Sequence, residues 1–255
     1  MNPLYLGTSE RRIYAIYEPA AVGGTRNRAA VLCHPWGAEY VYAHRSMRQL
    51  AIKLSMAGFH TLRFDYFGTG DSAGEMTDAD LAGWETDVES AIEGIRDIAG
   101  TTQVTLIGLR LGATIAARVA LRHSKEIEAL VLWDPILSGE EYLQRLGVAS
   151  PPDHDPRHAS GATLEVQGFP LTPKMRGELR SIDLHALISP PPTRSLLLVT
   201  ERMPSHDALS VIPAAPGQEP LAIEYMSIDC PWIEAVTITG AIPVRLIQRI
   251  VDWLG

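Results

Sequence analysis

Long hydrophobic runs are missing from this chain of 255 residues. No stretch approaches the roughly 18 consecutive apolar residues that a membrane span needs, so an integral membrane protein is not expected. Basic clusters are missing too. Lys and Arg number 22 against 30 Asp and Glu, for a formal net charge of −8. A surface of that sign repels phosphate backbones and anionic headgroups, which argues against nucleic-acid and membrane partners. Cysteine is scarce: Cys33 and Cys230 are too few and too far apart for a disulfide framework or a metal-ligand set. Residues 1–17 hold Glu10, Arg11 and Arg12 and no apolar core, so they do not read as a signal peptide. These absences point to a cytoplasmic protein with reduced thiols. Hydrophobic residues still make up 46% of the chain, enough for a sizeable core.

What is present is an alternation of extended and helix-periodic segments. Residues 12–17, 29–33, 61–64, 103–109, 127–133, 195–200 and 221–226 read as strands, several of them apolar on both faces. Between them run helical stripes: Met47, Leu50, Ala51 and Leu54; then Leu81, Trp84, Val88, Ala91, Ile92 and Ile95; then an alanine-rich helix over 111–122; and a closing amphipathic helix over 244–254. Thr77 or Asp78 is the expected cap of the second helix, and Gly100 its stop. Strands alternating with helices predict an α/β fold, a mostly parallel central sheet with helices on both faces. The rhythm breaks over 137–191, which includes the proline-rich 150–156. A structureless loop of that length is uncommon inside a compact domain. An inserted, partly helical cap is therefore expected at 137–191, with residues 1–136 and 192–255 forming the core.

Three segments carry a family resemblance. His34-Pro35-Trp36-Gly37 follows a buried strand. Residues 64–74 contain Asp65, Gly68, Gly70, Ser72 and Gly74 in a turn after the next strand. Gly108-Leu109-Arg110-Leu111-Gly112 then lies between a strand and a helix, with the spacing of a Gly-x-Ser-x-Gly nucleophile elbow. In this order the segments resemble the α/β-hydrolase superfamily. More narrowly, Cys33-His34-Pro35 with Gly37 and Glu39, the run from Gly108 to Ala113, and Trp133-Asp134-Pro135-Ile136 with Gly139 resemble a bacterial serine-aminopeptidase-like subgroup that includes exosortase-associated hydrolases. The resemblance implies an oxyanion-hole loop at His34–Gly37 and acyl, ester or thioester substrates.

The chemistry implied by that resemblance needs a hydroxyl on the elbow, an imidazole to take its proton and a carboxylate to orient the imidazole. The elbow position is Arg110, whose guanidinium offers only donors and cannot attack a carbonyl. The histidine expected before the last helix is absent from 235–243, and the last histidine of the chain is His206. Glu201 or Asp207 could fill the acid position but would have no histidine to orient. A Ser-His-Asp mechanism is therefore not expected.

A cation at a helix N-terminus is unfavourable unless an anion compensates it. Asp134 and Glu39 are the natural partners for Arg110. One reading is a structural ion pair, Arg110 with Asp134. The other is a clamp in which Arg110 binds a substrate carboxylate or phosphate. His34 is either an acid–base group or a hydrogen-bonded residue shaping its loop. Glu39 either faces a pocket or is solvated on the loop. Cys33 is expected to pack in the core, and Asp65, Asp71 and Ser72 to brace the glycine turn. His154 and His158 sit in a proline-rich stretch that does not read as a metal site. The candidate catalytic set is thus Arg110, His34, Asp134 and Glu39, with no cofactor and no metal. Two functions follow: an atypical enzyme acting on a small-molecule or carrier-bound acyl substrate, or a catalytically inactive hydrolase-fold binding module.

Overall fold

Aliphatic runs without alternation become the central strands, because both of their faces can be covered. The computed structural model describes residues 1–21, 28–148, 162–188, 193–200, 204–207, 221–227 and 242–255. Its strands are β1 (Asn2–Gly7), β2 (Arg12–Glu18), β3 (Arg28–Cys33), β4 (Phe59–Phe64), β5 (Val104–Leu109), β6 (Ile127–Trp133), β7 (Leu164–Val166), β8 (Phe169–Leu171), β9 (Arg194–Val199) and β10 (Ala222–Tyr225). Eight of them form one sheet in the order β1-β2-β4-β3-β5-β6-β9-β10. From β4 to β10 all neighbours run parallel; β2 lies antiparallel to β4, and β1 to β2.

Helices α1 (Ala38–Met56), α2 (Leu81–Ala99), α3 (Leu111–Arg122) and α8 (Val244–Leu254) cover the sheet. Trp84, Val88, Ala91 and Ile95 of α2 pack on one face together with the alanines of α3. Met47, Leu50 and Leu54 of α1 pack on the other with Leu246, Ile247 and Ile250 of α8. Each large side chain removed from water in these layers contributes roughly 1.5–3 kcal/mol. No helix of the described residues is long and apolar enough to cross a membrane.

Three local features differ from the sequence reading. β1 was not expected; its one-sided, half-exposed pattern at the sheet edge carries a weak signal. Asp80, not Thr77 or Asp78, caps α2, its carboxylate accepting from the Gly83 N–H at 2.6 Å, while 76–78 form a 3₁₀ turn. Gly100 ends α2 in the left-handed conformation as expected. Finally, α1 starts at Ala38, a full turn before its first buried apolar residue, because the polar Glu39 takes part in its first turn.

Between β6 and β9 the described residues form α4 (Gly139–Arg145), the antiparallel β7–β8 hairpin, α5 (Pro173–Arg180) and the short α6 (Leu184–Leu187). This segment is tied to the core through Glu178 of α5, which accepts from the Leu81 N–H at the start of α2 at 2.7 Å. A further helix of one turn, α7 (Pro204–Asp207), follows β9.

Candidate functional site

The carboxyl ends of β3, β5 and β6 meet at the turn between β5 and α3. Two glycines make that turn possible. A Cβ on Gly108 would lie 2.3 Å from the Ala113 backbone, and one on Gly112 would lie 2.3 Å from the carbonyl oxygens of both Cys33 and His34. Between them Arg110 takes φ 55° and ψ −122°, a conformation that L-residues avoid and that the surroundings must enforce. Its N–H donates to the Trp133 carbonyl at 2.9 Å, and its own carbonyl accepts from Ala113 at 3.0 Å. The backbone is held from both neighbouring elements.

The Arg110 side chain is enclosed as well. Its Nε donates to Oε1 of Glu39 at 2.9 Å and its Nη1 to the Asp134 carbonyl oxygen at 3.3 Å. The second oxygen of Glu39 accepts from the Tyr142 hydroxyl of α4 at 3.2 Å. The guanidinium also lies 5.6 Å from the centre of the Tyr142 ring. Glu39 is only 2% exposed and Arg110 9%. Burial pushes the Glu39 carboxyl up, against the pull of the Arg110 charge and of two hydrogen bonds. Burial also opposes the charge on Arg110, but the fields of Glu39, Tyr142 and Asp134 outweigh it and strengthen its hold on its proton. Tyr142 is raised well above the usual phenol range by burial and then by Glu39. The result is a buried, internally neutralised cluster.

The model of the serine aminopeptidase S33 family matches residues 26–155, which contain β3, the glycine turn and the elbow. The chain belongs to this α/β-hydrolase family. The human protein ABHD12B is 36% identical over 122 residues, 47% of this chain and 32% of the relative, so the match spans about a third of that protein's length. Among solved structures, Est1E from Butyrivibrio proteoclasticus bound to ferulic acid superposes with a TM-score of 0.76 at 16% identity, covering 98% of this chain and 97% of that one. Mouse alpha/beta hydrolase domain-containing protein 10 gives 0.64 at 18% identity over the whole of both chains. At such identities these two likenesses speak for the shared fold alone.

Within the α/β-hydrolase frame the remaining candidates sort differently from the sequence reading. The carboxylate partner of Arg110 is Glu39, not Asp134. Asp134 has φ 44° and turns its carboxylate to β9, where Oδ1 accepts from the Thr200 N–H at 2.7 Å and Oδ2 from the Thr200 hydroxyl at 2.6 Å. Two donors on one residue outcompete the more distant guanidinium. Asp134 thus contributes its backbone carbonyl to the Arg110 cluster and its side chain to a clasp between β6 and β9. Glu39 is neither solvated nor on a loop: the helix that starts at Ala38 carries it inward.

His34 follows β3 and is 3% exposed. Its ring meets Tyr40 edge-on, centroids 5.3 Å apart, and its Nδ1 has no hydrogen-bond partner. The expectation of a hydrogen-bonded loop residue fails at that nitrogen. Burial, followed by the charges of Arg63 and His44, pushes the imidazole down to about 3, so His34 is neutral at pH 7. Cys33 is fully buried, and burial pushes its thiol up to about 12 against an opposing influence of Tyr66. That environment withholds the thiolate a nucleophile needs.

The glycine turn is braced by Asp65, which accepts from the Asp71 N–H at 3.0 Å and the Tyr40 hydroxyl at 2.7 Å, and by Ser72, whose hydroxyl donates to the Asp65 carbonyl at 2.6 Å. Asp71 joins this brace through its backbone. His154, His158, Glu201 and Cys230 lie outside the described residues, and Asp207 falls in α7. Among the described residues no group of His, Cys, Asp and Glu is arranged to hold a metal ion. Sequence reasoning missed Tyr142 and Thr200. Thr200 follows β9 with no distinguishing pattern. Tyr142 carries one weak signal, its place four residues after Ser138, the N-cap of α4.

Proposed function

We propose that this chain is a non-hydrolytic member of the α/β-hydrolase family that binds an acyl-type small molecule, free or carrier-bound, without forming an acyl-enzyme. The observation that carries this reading is Arg110, set on the strained strand-to-helix turn and held by Glu39 at 2.9 Å. The family's chemistry needs a nucleophile at that bend, and a guanidinium has none to offer. No histidine follows His206 in the sequence to act as the general base. The family's substrates lend the acyl class by analogy of fold. The segment over 137–191 acts as the cap over the strand ends, with Tyr142 as its contact to the cluster. A cytoplasmic setting is part of this proposal.

A second reading keeps enzymatic activity. Glu39 has a raised proton affinity and His34 an unpartnered Nδ1, so acid–base groups are present near the elbow. In that reading Arg110 binds an anionic group of an ester or thioester substrate while His34, Glu39 or Asp134 moves a proton, with no covalent intermediate. The ion pair weighs against it. Glu39 already matches the charge of Arg110, and a second carboxylate would enter beside the first.

The experiment combines a fluorophosphonate probe, p-nitrophenyl esters of several chain lengths, and thermal-shift titration with the corresponding free acids and N-acetylcysteamine thioesters. Saturable binding with no labelling and no turnover supports the binding protein. Turnover without labelling, lost in Glu39→Gln, favours the enzyme. Labelling abolished by one serine substitution, with matching turnover, overturns both.

A further inference from the structure

The amino ends of β3, β6 and β9 lie at the pole of the sheet opposite the elbow. A cavity of about 240 Å³ opens there beside the last residues of α8, lined by Arg28, Glu128, Ala129, Arg194, Leu254 and Gly255. Arg28 is the first residue of β3 and Arg194 the first of β9. Both guanidiniums are anchored by α8 or by a ring. That of Arg28 lies 4.0 Å from the centre of the Phe59 ring and donates to the Leu254 carbonyl. That of Arg194 lies 4.1 Å from the centre of the Trp253 ring and donates to the Trp253 carbonyl at 2.6 Å. The last carbonyls of a helix attract cations, so the end of α8 fixes two positive charges at the cavity wall. Each guanidinium carries five N–H donors, and a helical carbonyl uses only one of them.

Glu128 reaches the same cavity through an irregularity in the sheet. Along the β5–β6 ladder Val104 pairs with Ile127 but Thr105 with Ala129, which makes Glu128 the extra residue of a bulge. Bulges re-aim side chains and are built-in features of a sheet. Here the carboxylate turns to the Thr105 hydroxyl, which donates to it at 3.1 Å. Among the described residues no cation lies within ion-pair distance of Glu128, although two arginines share its cavity. Fixed charges of both signs therefore border one small space without pairing across it.

We propose that this cavity binds a zwitterionic small molecule of the α-amino-acid class, with its carboxylate on Arg28 and Arg194 and its ammonium on Glu128. A plain anion would meet the Glu128 carboxylate, and a plain cation would meet the two arginines. A ligand carrying both signs matches the wall. The planar forks suit a carboxylate's two oxygens, and charge-assisted hydrogen bonds are the strong ones. Pockets for drug-sized ligands run from about 300 to 1,000 Å³, so this smaller space suits a smaller molecule. Ala129 and Leu254 offer its side chain an aliphatic surface. The cavity lies at the other end of the strands from Arg110, and the inference does not rest on the function proposed for the elbow.

The test titrates the full ¹⁵N-labelled chain at pH 7 and constant ionic strength with L-alanine and L-leucine, following the Ala129 and Gly255 amides. Acetate and methylamine, each with a single charge, form the control arms. Saturable shifts with an amino acid, at least tenfold tighter than with either control, support the site. Glu128→Gln should weaken amino-acid binding at least tenfold yet leave acetate binding no weaker, because the repelling carboxylate is gone. Arg194→Gln, at an exposed position, should weaken it at least fivefold and serves should Glu128→Gln fail to fold. No saturation with either amino acid, acetate binding as tightly as L-alanine, or unchanged affinity in both variants overturns the proposal.

Discussion

The hydroxyl of Tyr142 donates to the carboxylate of Glu39 at 3.2 Å, joining α4, which lies between β6 and β9 in the chain, to the first turn of α1. Through Glu39 the phenol acts on Arg110, so three elements spread between residues 39 and 142 share one buried charge balance. The energetic weight of this cluster lies in the penalty of breaking it, since intact buried ion pairs add little net stability while a lone buried charge is expensive.

Glu39→Gln should therefore destabilise the fold by about 3–5 kcal/mol, because it strands the Arg110 cation. Arg110→Met should cost less, since the remaining Glu39 carboxyl can take up a proton. The double variant should be far more stable than the sum of the two losses, with a coupling of about 2 kcal/mol or more. Urea denaturation of the four proteins at pH 7 measures it. Additive losses would show that the pair does not act as a unit.

His34 governs the acid side of the stability curve. Its folded value of about 3 lies below the ordinary 6.5, so the unfolded chain binds more protons between those pH values. Stability from this group is present above pH 6.5 and is lost as pH falls toward 3, by at most about 5 kcal/mol. Glu39 acts in the opposite sense. Its raised carboxyl favours the folded state most at low pH, and that contribution disappears as pH rises through its folded value. Stability profiles of the native chain and of His34→Gln from pH 7.5 to 4 should converge at the acid end. Parallel profiles would refute the assignment.

Glycine substitutions should divide sharply. Gly112→Ala drives a methyl into two carbonyl oxygens at 2.3 Å and should cost at least about 3 kcal/mol or prevent folding, in line with overpacking and strain. Gly177→Ala, inside α5 with nothing within 4 Å of the new methyl, should stabilise by about 0.5–1 kcal/mol. Thermal melts of both variants decide.

Restoring the hydroxyl alone should not restore hydrolysis. Arg110→Ser places an alcohol on the bend but leaves it without the histidine–carboxylate pair that draws off the proton in a triad, and it strands Glu39. The expected result is no fluorophosphonate labelling and no burst with p-nitrophenyl acetate. Stoichiometric labelling of the new serine would reveal a base that the present reading lacks.

Much of the fold was legible because its signals are local. Helices 111–122 and 244–254 and strand 127–133 were read with the bounds they have, since an alanine-rich run, an amphipathic stripe after Pro243 and a largely apolar run mark them in turn. The edge strand β1 was not, because one exposed face and one half-buried face leave little alternation. The site was legible by position only. Arg110, Glu39, Asp134 and His34 were all named, yet the choice of Glu39 over Asp134 as counter-ion depends on the φ of Asp134 and the two donors of Thr200, neither of which leaves a trace in composition or spacing. Tyr142 enters through tertiary approach of a segment far along the chain.

The shape of the bend is imposed by its two flanking glycines and by bonds to the Arg110 backbone, none of which involves the side chain at its tip. Architecture and reactivity are thus separable here: the scaffold keeps its catalytic-looking corner whatever residue occupies the apex. Superposition reports that scaffold alone; the residue at the apex and the lack of a histidine over 235–243 are what set this sequence apart from the Ser-His-Asp pattern.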